Sequence, residues 1–127
     1  MAGMTAAPEA FEYALIRVVP RVERGEAINA GVVLYSQQYK FLGCRILLDE
    51  GRLRALDPRA DPAAAARALA VIEEGCRTGP AAGQSLGEWF RWLTAPRSTI
   101  VQPGPVHSGL TSDPAAELQH LFDDLVR

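Results

Sequence analysis

The first half of the chain alternates short apolar runs with polar turns. Residues 11–19 are rich in aromatic and β-branched side chains and end at a proline, which is typical of a strand. Residues 31–35 form an apolar run of the kind that a buried strand gives, and residues 41–48 form a third strand. Both connections are too short for a helical crossover, and the second strand is apolar on both faces. We therefore expect an antiparallel meander with the second strand in the middle.

The second half carries three helical patterns, each with its own start signal. Asp61 and Asp113 each precede a proline, which predicts an N-cap followed by proline at the first helical position. Ser85 and Glu88 have the spacing of a capping box ahead of an aromatic run. Residues 98–102 fit an edge strand that the following prolines would stop. The prediction is an α+β domain: an antiparallel meander of three to four strands with three helices packed against one face.

Length and composition are those of one globular domain. A chain of 127 residues, 48% of them hydrophobic, can bury a core without disulfides or a structural metal. We expect a disordered tail over residues 1–10 and a single domain over residues 11–127. The tail has no basic region followed by an apolar stretch, and no apolar run approaches the roughly 20 residues that span a bilayer. These features predict a cytoplasmic protein that does not contact the membrane.

Charge and cysteine usage argue against several classes of site. The net charge is −2 and no basic stripe is interleaved with aromatics, so nucleic acid is not an expected partner. Cys44 and Cys76 have no CxxC neighbour and His107 and His120 are far apart, which predicts no metal site. The sequence has no glycine-rich phosphate loop, and we expect no cofactor. We interpret the cysteines as reduced and separate thiols that form no disulfide. The arginine and alanine bias indicates a GC-rich bacterial genome.

The segment from Arg17 to Gly31 is the most polar part of the N-terminal half. Arg17 is expected in mid-strand with apolar neighbours on both faces, and Arg45 has the same position in the third strand. Both are therefore expected to be partly buried, and a buried guanidinium needs a carboxylate or a bound anion because it cannot lose its charge. The candidate cluster consists of Arg17, Arg21, Glu23, Arg24, Glu26, Asn29 and Arg45.

Two interpretations of this cluster stay open. In the first, the charged residues pair internally and hold the hairpin together, with Arg17 and Glu26 forming a partly buried ion pair and Glu12 and Asp49 as further partners. In the second, the arginines converge on a phosphate or carboxylate of a ligand, which a guanidinium can grip bidentately. Glu23 or Glu26 would then be available as an acid or base. Asn29 is expected to cap the turn through its side chain.

The same segment resembles a known family. The matching positions are Tyr13, Arg17, Pro20, Arg24, Gly25, Glu26, Asn29, Gly31, Phe41 and Arg45, with Pro96, Arg97, Asp113 and Pro114 later in the chain. This pattern resembles the bacterial family of unknown function numbered 3037. The resemblance implies no activity or cofactor. It suggests a protein partner, because such proteins are often encoded beside kinase-like proteins resembling the HipA toxin family.

Two functions from different classes are consistent with these features. The first is an accessory or binding domain that acts with a larger protein partner, such as a HipA-like kinase. The alternative is a small enzyme or ligand-binding protein that holds an anionic substrate at the arginine-rich hairpin loop. The aromatic cluster of Trp89, Phe90 and Trp92 is expected in the core or at a subunit interface, so a homodimer is also left open. The sequence does not decide whether the protein is a catalyst.

Overall fold

A computed structural model describes residues 7–97 and 99–127. It has five strands and four helices, so the α+β class is confirmed. The strands are β1 (Glu9–Val18), β2 (Ile28–Ser36), β3 (Phe41–Ile46), β4 (Val101–Pro103) and β5 (His107–Thr111). The helices are α1 (Glu50–Leu56), α2 (Pro62–Thr78), α3 (Leu86–Leu93) and α4 (Pro114–Leu125).

The strands form one antiparallel sheet in the order β3-β2-β1-β4. The second strand lies between the first and the third, so the predicted meander is confirmed. On the far side of β1, β4 pairs with Ile16–Val18 and β5 pairs with Glu9–Tyr13. These two short strands together cover most of β1, so β1 is a central strand as well.

The helices pack on both faces of the sheet, so the expectation of a single covered face was wrong. Side chains of β1 such as Ile16 and Val18 join one core cluster with α2 and α3, centred on the fully buried Phe90. Phe11 and its neighbours face the other way and join a second cluster with Leu118 of α4. The cause is that β1 and β2 are apolar on both faces, and each apolar face has to be removed from water.

A bulge interrupts the pairing of β1 with β2. Ile16 pairs with Gly31 and Arg17 pairs with Asn29, so Ala30 is the extra residue. The carbonyl of Ala30 instead accepts a hydrogen bond of 2.8 Å from the N–H of Leu47, just beyond β3. The backbones approach closely at Gly31, where a Cβ atom would lie 2.9 Å from the carbonyl oxygen of Arg45.

All three expected helix start signals have the capping geometry that the sequence predicts. The side chains of Asp61 and Asp113 accept hydrogen bonds from backbone N–H groups in the first turns of α2 and α4. Ser85 and Glu88 form the capping box of α3. Within α3, Phe90 is fully buried, whereas the ring of Trp92 is about half exposed.

The structure also contains elements that the sequence analysis did not predict. The short helix α1 buries only Leu53, so its apolar pattern is too brief to recognise. The strand β5 has no recognisable strand pattern, because four of its five residues are polar or glycine and four of the five are not buried. The expected edge strand over residues 98–102 is found as β4, slightly later in the chain; Ser98 lies outside the described residues.

The N-terminal boundary differs from the expected one. β1 begins at Glu9, so residues 9 and 10 are part of the sheet and not of a tail. Residues 1–6 lie outside the described residues, and the tail expected there stays a prediction. No helix in the described part of the chain has the length and apolar character needed to cross a bilayer.

The close packing at the bulge predicts opposite effects for two glycine substitutions. Gly31→Ala should lower the free energy of unfolding by about 1–3 kcal/mol, because its Cβ would overlap backbone that cannot move away. Gly75→Ala is the control in the last turn of α2, where a Cβ would make ordinary contacts at 3.6 and 3.7 Å. It should raise stability by about 0.5–1 kcal/mol through helix propensity. Urea denaturation of both variants measures this, and equal losses would contradict the described packing.

Candidate functional site

A cleft of about 240 Å³ lies between the β1–β2 loop and the turn that joins α1 to α2. The loop contributes arginines and a glutamate, and the turn contributes a Leu-Asp-Pro-Arg sequence. The lining residues are Pro20, Arg21, Arg24, Glu26, Leu56, Asp57, Pro58 and Arg59. Three guanidinium groups and two carboxylates therefore surround one small space.

The shape of the β1–β2 loop brings two of these arginines to the cleft. The N–H of Arg24 donates to the carbonyl of Arg21 at 3.0 Å, which closes a tight turn. Gly25 follows with a φ of 70°, a left-handed conformation that glycine adopts without steric cost. The turn thereby places Arg21 and Arg24 on the same cleft wall as Glu26.

Both loop arginines are held by carboxylates of the same loop. Arg21 donates to Glu23 at 2.9 Å, and Arg24 donates to Glu26 at 2.6 Å. The hydrogen bond and charge of Arg24 lower the pKa of Glu26, and the same pair raises the pKa of Arg24. The Arg24 and Glu26 side chains are 57% and 45% exposed, so solvent screens this pair.

Arg59 is the arginine of the cleft that the sequence analysis did not predict. Its backbone N–H donates to the carboxylate of Asp57 at 2.9 Å, which shapes the turn and leaves the side chain exposed at the cleft. Within residues 7–97 and 99–127, no carboxylate forms an ion pair with its guanidinium. Arg59 lies 35 positions after Arg24, and no spacing in the sequence indicates that the two meet.

Arg17, Asn29 and Arg45 lie away from the cleft. Arg17 is half-buried on the sheet, with its guanidinium against the backbone of Gly104. Arg45 was expected to be partly buried, but it lies exposed on β3, which is an outer strand of the sheet. Asn29 donates to the carbonyl of Leu125 at 3.0 Å, so it caps the end of α4 and not the hairpin turn.

The expected ion pair of Arg17 with Glu26 is not formed. Glu26 turns outward from the loop and bonds Arg24, two residues away, whereas Arg17 stays on the sheet. The two carboxylates considered as further partners also have other roles. Glu12 accepts hydrogen bonds of 2.7 and 2.8 Å from the two terminal guanidinium nitrogens of Arg91, and Asp49 caps α1.

The two histidines and the aromatic cluster also lie outside the cleft. His107 is on β5, where its ring lies 5.3 Å from that of Tyr13, and His120 is on α4 beside Asp124. Over the described residues, no group of three or more histidine, cysteine, aspartate or glutamate side chains is placed to hold a metal ion.

A family model for proteins of unknown function, DUF3037, matches residues 13–126. The match covers the cleft, the four helices and the sheet from the fifth residue of β1 onward. The chain belongs to the DUF3037 family. The resemblance inferred from the sequence is therefore confirmed, and it was carried by residues that prove to have different roles in this DUF3037 protein. Arg24, Gly25 and Glu26 build the cleft, whereas Asn29 and Gly31 serve the fold.

A comparison of this DUF3037 protein with curated proteins and one with solved structures each found no match. The site therefore has to be interpreted from its own residues. Arg21, Glu23, Arg24 and Glu26 of the expected cluster are brought together, and Asp57 and Arg59 complete the cleft.

The coupling of Arg24 to Glu26 gives a measurable prediction. Because Arg24 stabilises the ionised carboxylate, the carboxyl carbon of Glu26 should titrate below the ordinary pKa of glutamate in an NMR pH series. Arg24→Ala should raise this pKa, and added salt should raise it in the wild type. Arg67→Ala, which removes an exposed arginine of α2, is the matched control and should leave it unchanged. The same pKa of Glu26 in all three proteins would contradict the pair.

Proposed function

We infer that this DUF3037 protein is a bacterial accessory binding domain that holds an anionic group of a larger protein partner in the cleft. The observation that carries the inference is the convergence of Arg21, Arg24 and Arg59 on one small space from two separate parts of the chain. Guanidinium groups recognise carboxylates and phosphates through bidentate hydrogen bonds. The arginine- and alanine-rich composition favours a bacterial source, and the two free cysteines favour a cytoplasmic setting.

The size of the cleft favours a group on a larger molecule over a free metabolite. Pockets for drug-sized ligands enclose about 300–1,000 Å³, whereas this cleft encloses about 240 Å³. A carboxylate or phosphate on a side chain fits such a volume, and the rest of the partner would rest on the rim. Pro20, Leu56 and Pro58 supply apolar contact there.

The protonation behaviour of the cleft favours binding over catalysis. An efficient general acid or base has a pKa close to the working pH. The pKa of Glu26 moves the other way, downward, because Arg24 stabilises its charge. The lining residues also lack a serine, threonine, cysteine, lysine, tyrosine or histidine that would act as a nucleophile. The alternative of a small enzyme at this loop therefore has less support than a binding domain.

The existing ion pairs are compatible with an incoming anion. Exposed arginine–carboxylate pairs contribute little net stability, so Arg24 can exchange Glu26 for a partner group at small cost. Arg59 needs no such exchange, since within the described residues its guanidinium forms no ion pair. We expect Arg59 to make the first contact and Arg24 the second. A HipA-like kinase is the partner that the family resemblance suggests.

An NMR titration tests the cleft with defined probes. The probes are inorganic phosphate and a short aspartate-containing peptide, and the signals are the Nε–H groups of the arginine side chains. Saturable shifts are expected at Arg24 and Arg59, because both residues line the cleft. The double variant Arg24→Ala, Arg59→Ala should lose saturable binding. Arg67→Ala, on the exposed side of α2, should retain it.

Affinity capture with quantitative mass spectrometry extends the test to protein partners. A partner that uses the cleft should be recovered with the wild type and with Arg67→Ala, and reduced at least tenfold with the double variant. Shifts spread evenly over all exposed arginines, together with equal capture by the three proteins, would contradict the proposed function.

A further inference from the structure

The two cysteines are neighbours across the interface of β3 and α2. Cys44 shares with Leu42 and Ile46 the face of β3 that packs against α2. Cys76 ends the stripe of α2 that faces the sheet, which consists of Ala65, Leu69, Ile72 and Cys76. Both cysteines pack in the same core cluster, and neither forms a disulfide bond in this structure.

Solvent reaches this pair through a surface groove. The groove encloses about 570 Å³, and both cysteines are among its lining residues. Glu73, Glu74 and Arg77 form its polar rim, with Arg77 and Glu74 paired across one turn of α2. Cys44 is half-buried and Cys76 is 8% exposed, so a small polar molecule in the groove can meet sulfur without the core having to open.

Interaction between the two thiols shifts their pKa values in opposite directions. It lowers the pKa of Cys76, because the Cys44 thiol donates to the Cys76 thiolate. It raises the pKa of Cys44, and burial adds to that effect, so Cys44 keeps its proton. Thiolates are the reactive form toward peroxides, whereas protonated thiols react slowly.

We propose that Cys44 and Cys76 form a reversible oxidation site, at which hydrogen peroxide converts the neighbouring thiols into a disulfide that links β3 to α2. This inference does not depend on the proposed function of the cleft. Disulfides in reducing compartments are usually transient and redox-sensing, which fits two neighbouring thiols that line one groove.

The reaction balances in two steps. The Cys76 thiolate attacks one peroxide oxygen, so an S–O bond forms, the O–O bond breaks and the leaving hydroxide takes a proton to become water. Sulfur is oxidised by two electrons and peroxide is reduced. The Cys44 sulfur then attacks the sulfenic sulfur of Cys76, forming the S–S bond and breaking the S–O bond. The departing hydroxide and the Cys44 proton leave as a second water.

The test treats the reduced, full-length protein with hydrogen peroxide, followed by catalase and then by N-ethylmaleimide in denaturant. Intact mass should show the loss of two hydrogens and of both maleimide adducts, with the protein still monomeric by non-reducing electrophoresis. Proteolysis should give one linked peptide pair containing Cys44 and Cys76. Dithiothreitol should restore both adducts, because the site is reversible.

The single variants Cys44→Ser and Cys76→Ser are the matched controls, since each keeps a polar group of similar size. Neither should form an intramolecular disulfide. In Cys44→Ser the remaining Cys76 should be trapped by dimedone as its sulfenic acid. The proposal is overturned if the peroxide-treated wild type still takes two maleimide adducts. It is also overturned if oxidation gives only disulfides between chains or sulfinic acid on one cysteine.

Discussion

The pairing of β1 with β2 is the constraint on which the rest of this structure depends. Both strands carry buried apolar side chains on both faces, including Ile16 and Val33 on one face and Val32 and Leu34 on the other. Burying a side chain of this type stabilises a fold by about 1.5–3 kcal/mol. Neither face can remain in water, so α2 and α3 cover one side and α4 covers the other.

The same strand pair determines where the polar residues of the N-terminal motif lie. The bulge at Ala30 places Asn29 under the end of α4 and brings Gly31 against the backbone of β3. Beyond the bulge the hairpin loop leaves the sheet and reaches the turn between α1 and α2, where its arginines meet Arg59. One short segment thus stabilises the fold through some of its residues and builds the cleft with the others. The charged residues near the turn are the exposed ones, so they are the ones free to exchange partners.

The sequence predicted correctly those elements whose position is determined by a short local pattern. The aspartate–proline pairs and the capping box located the starts of three helices, and the apolar run of residues 31–35 located the middle strand of the meander. It was uninformative where partners are remote along the chain. Alternation predicted that Arg17 and Arg45 would both be partly buried, yet Arg45 lies exposed on an outer strand. The contacts of Arg59 with the cleft and of Cys44 with Cys76 depend on tertiary packing, for which no spacing rule exists.

Native-state hydrogen exchange of the backbone amides tests the central claim most directly. If the β1–β2 pair is the constraint described here, the amides of Val32, Val33 and Leu34 and of their partners in β1 should exchange slowest. Their opening free energy should equal the free energy of global unfolding from urea denaturation, because these hydrogen bonds break only when both cores open. Slower exchange in α2 than in β2, or exchange of β2 amides through a smaller local opening, would contradict the account.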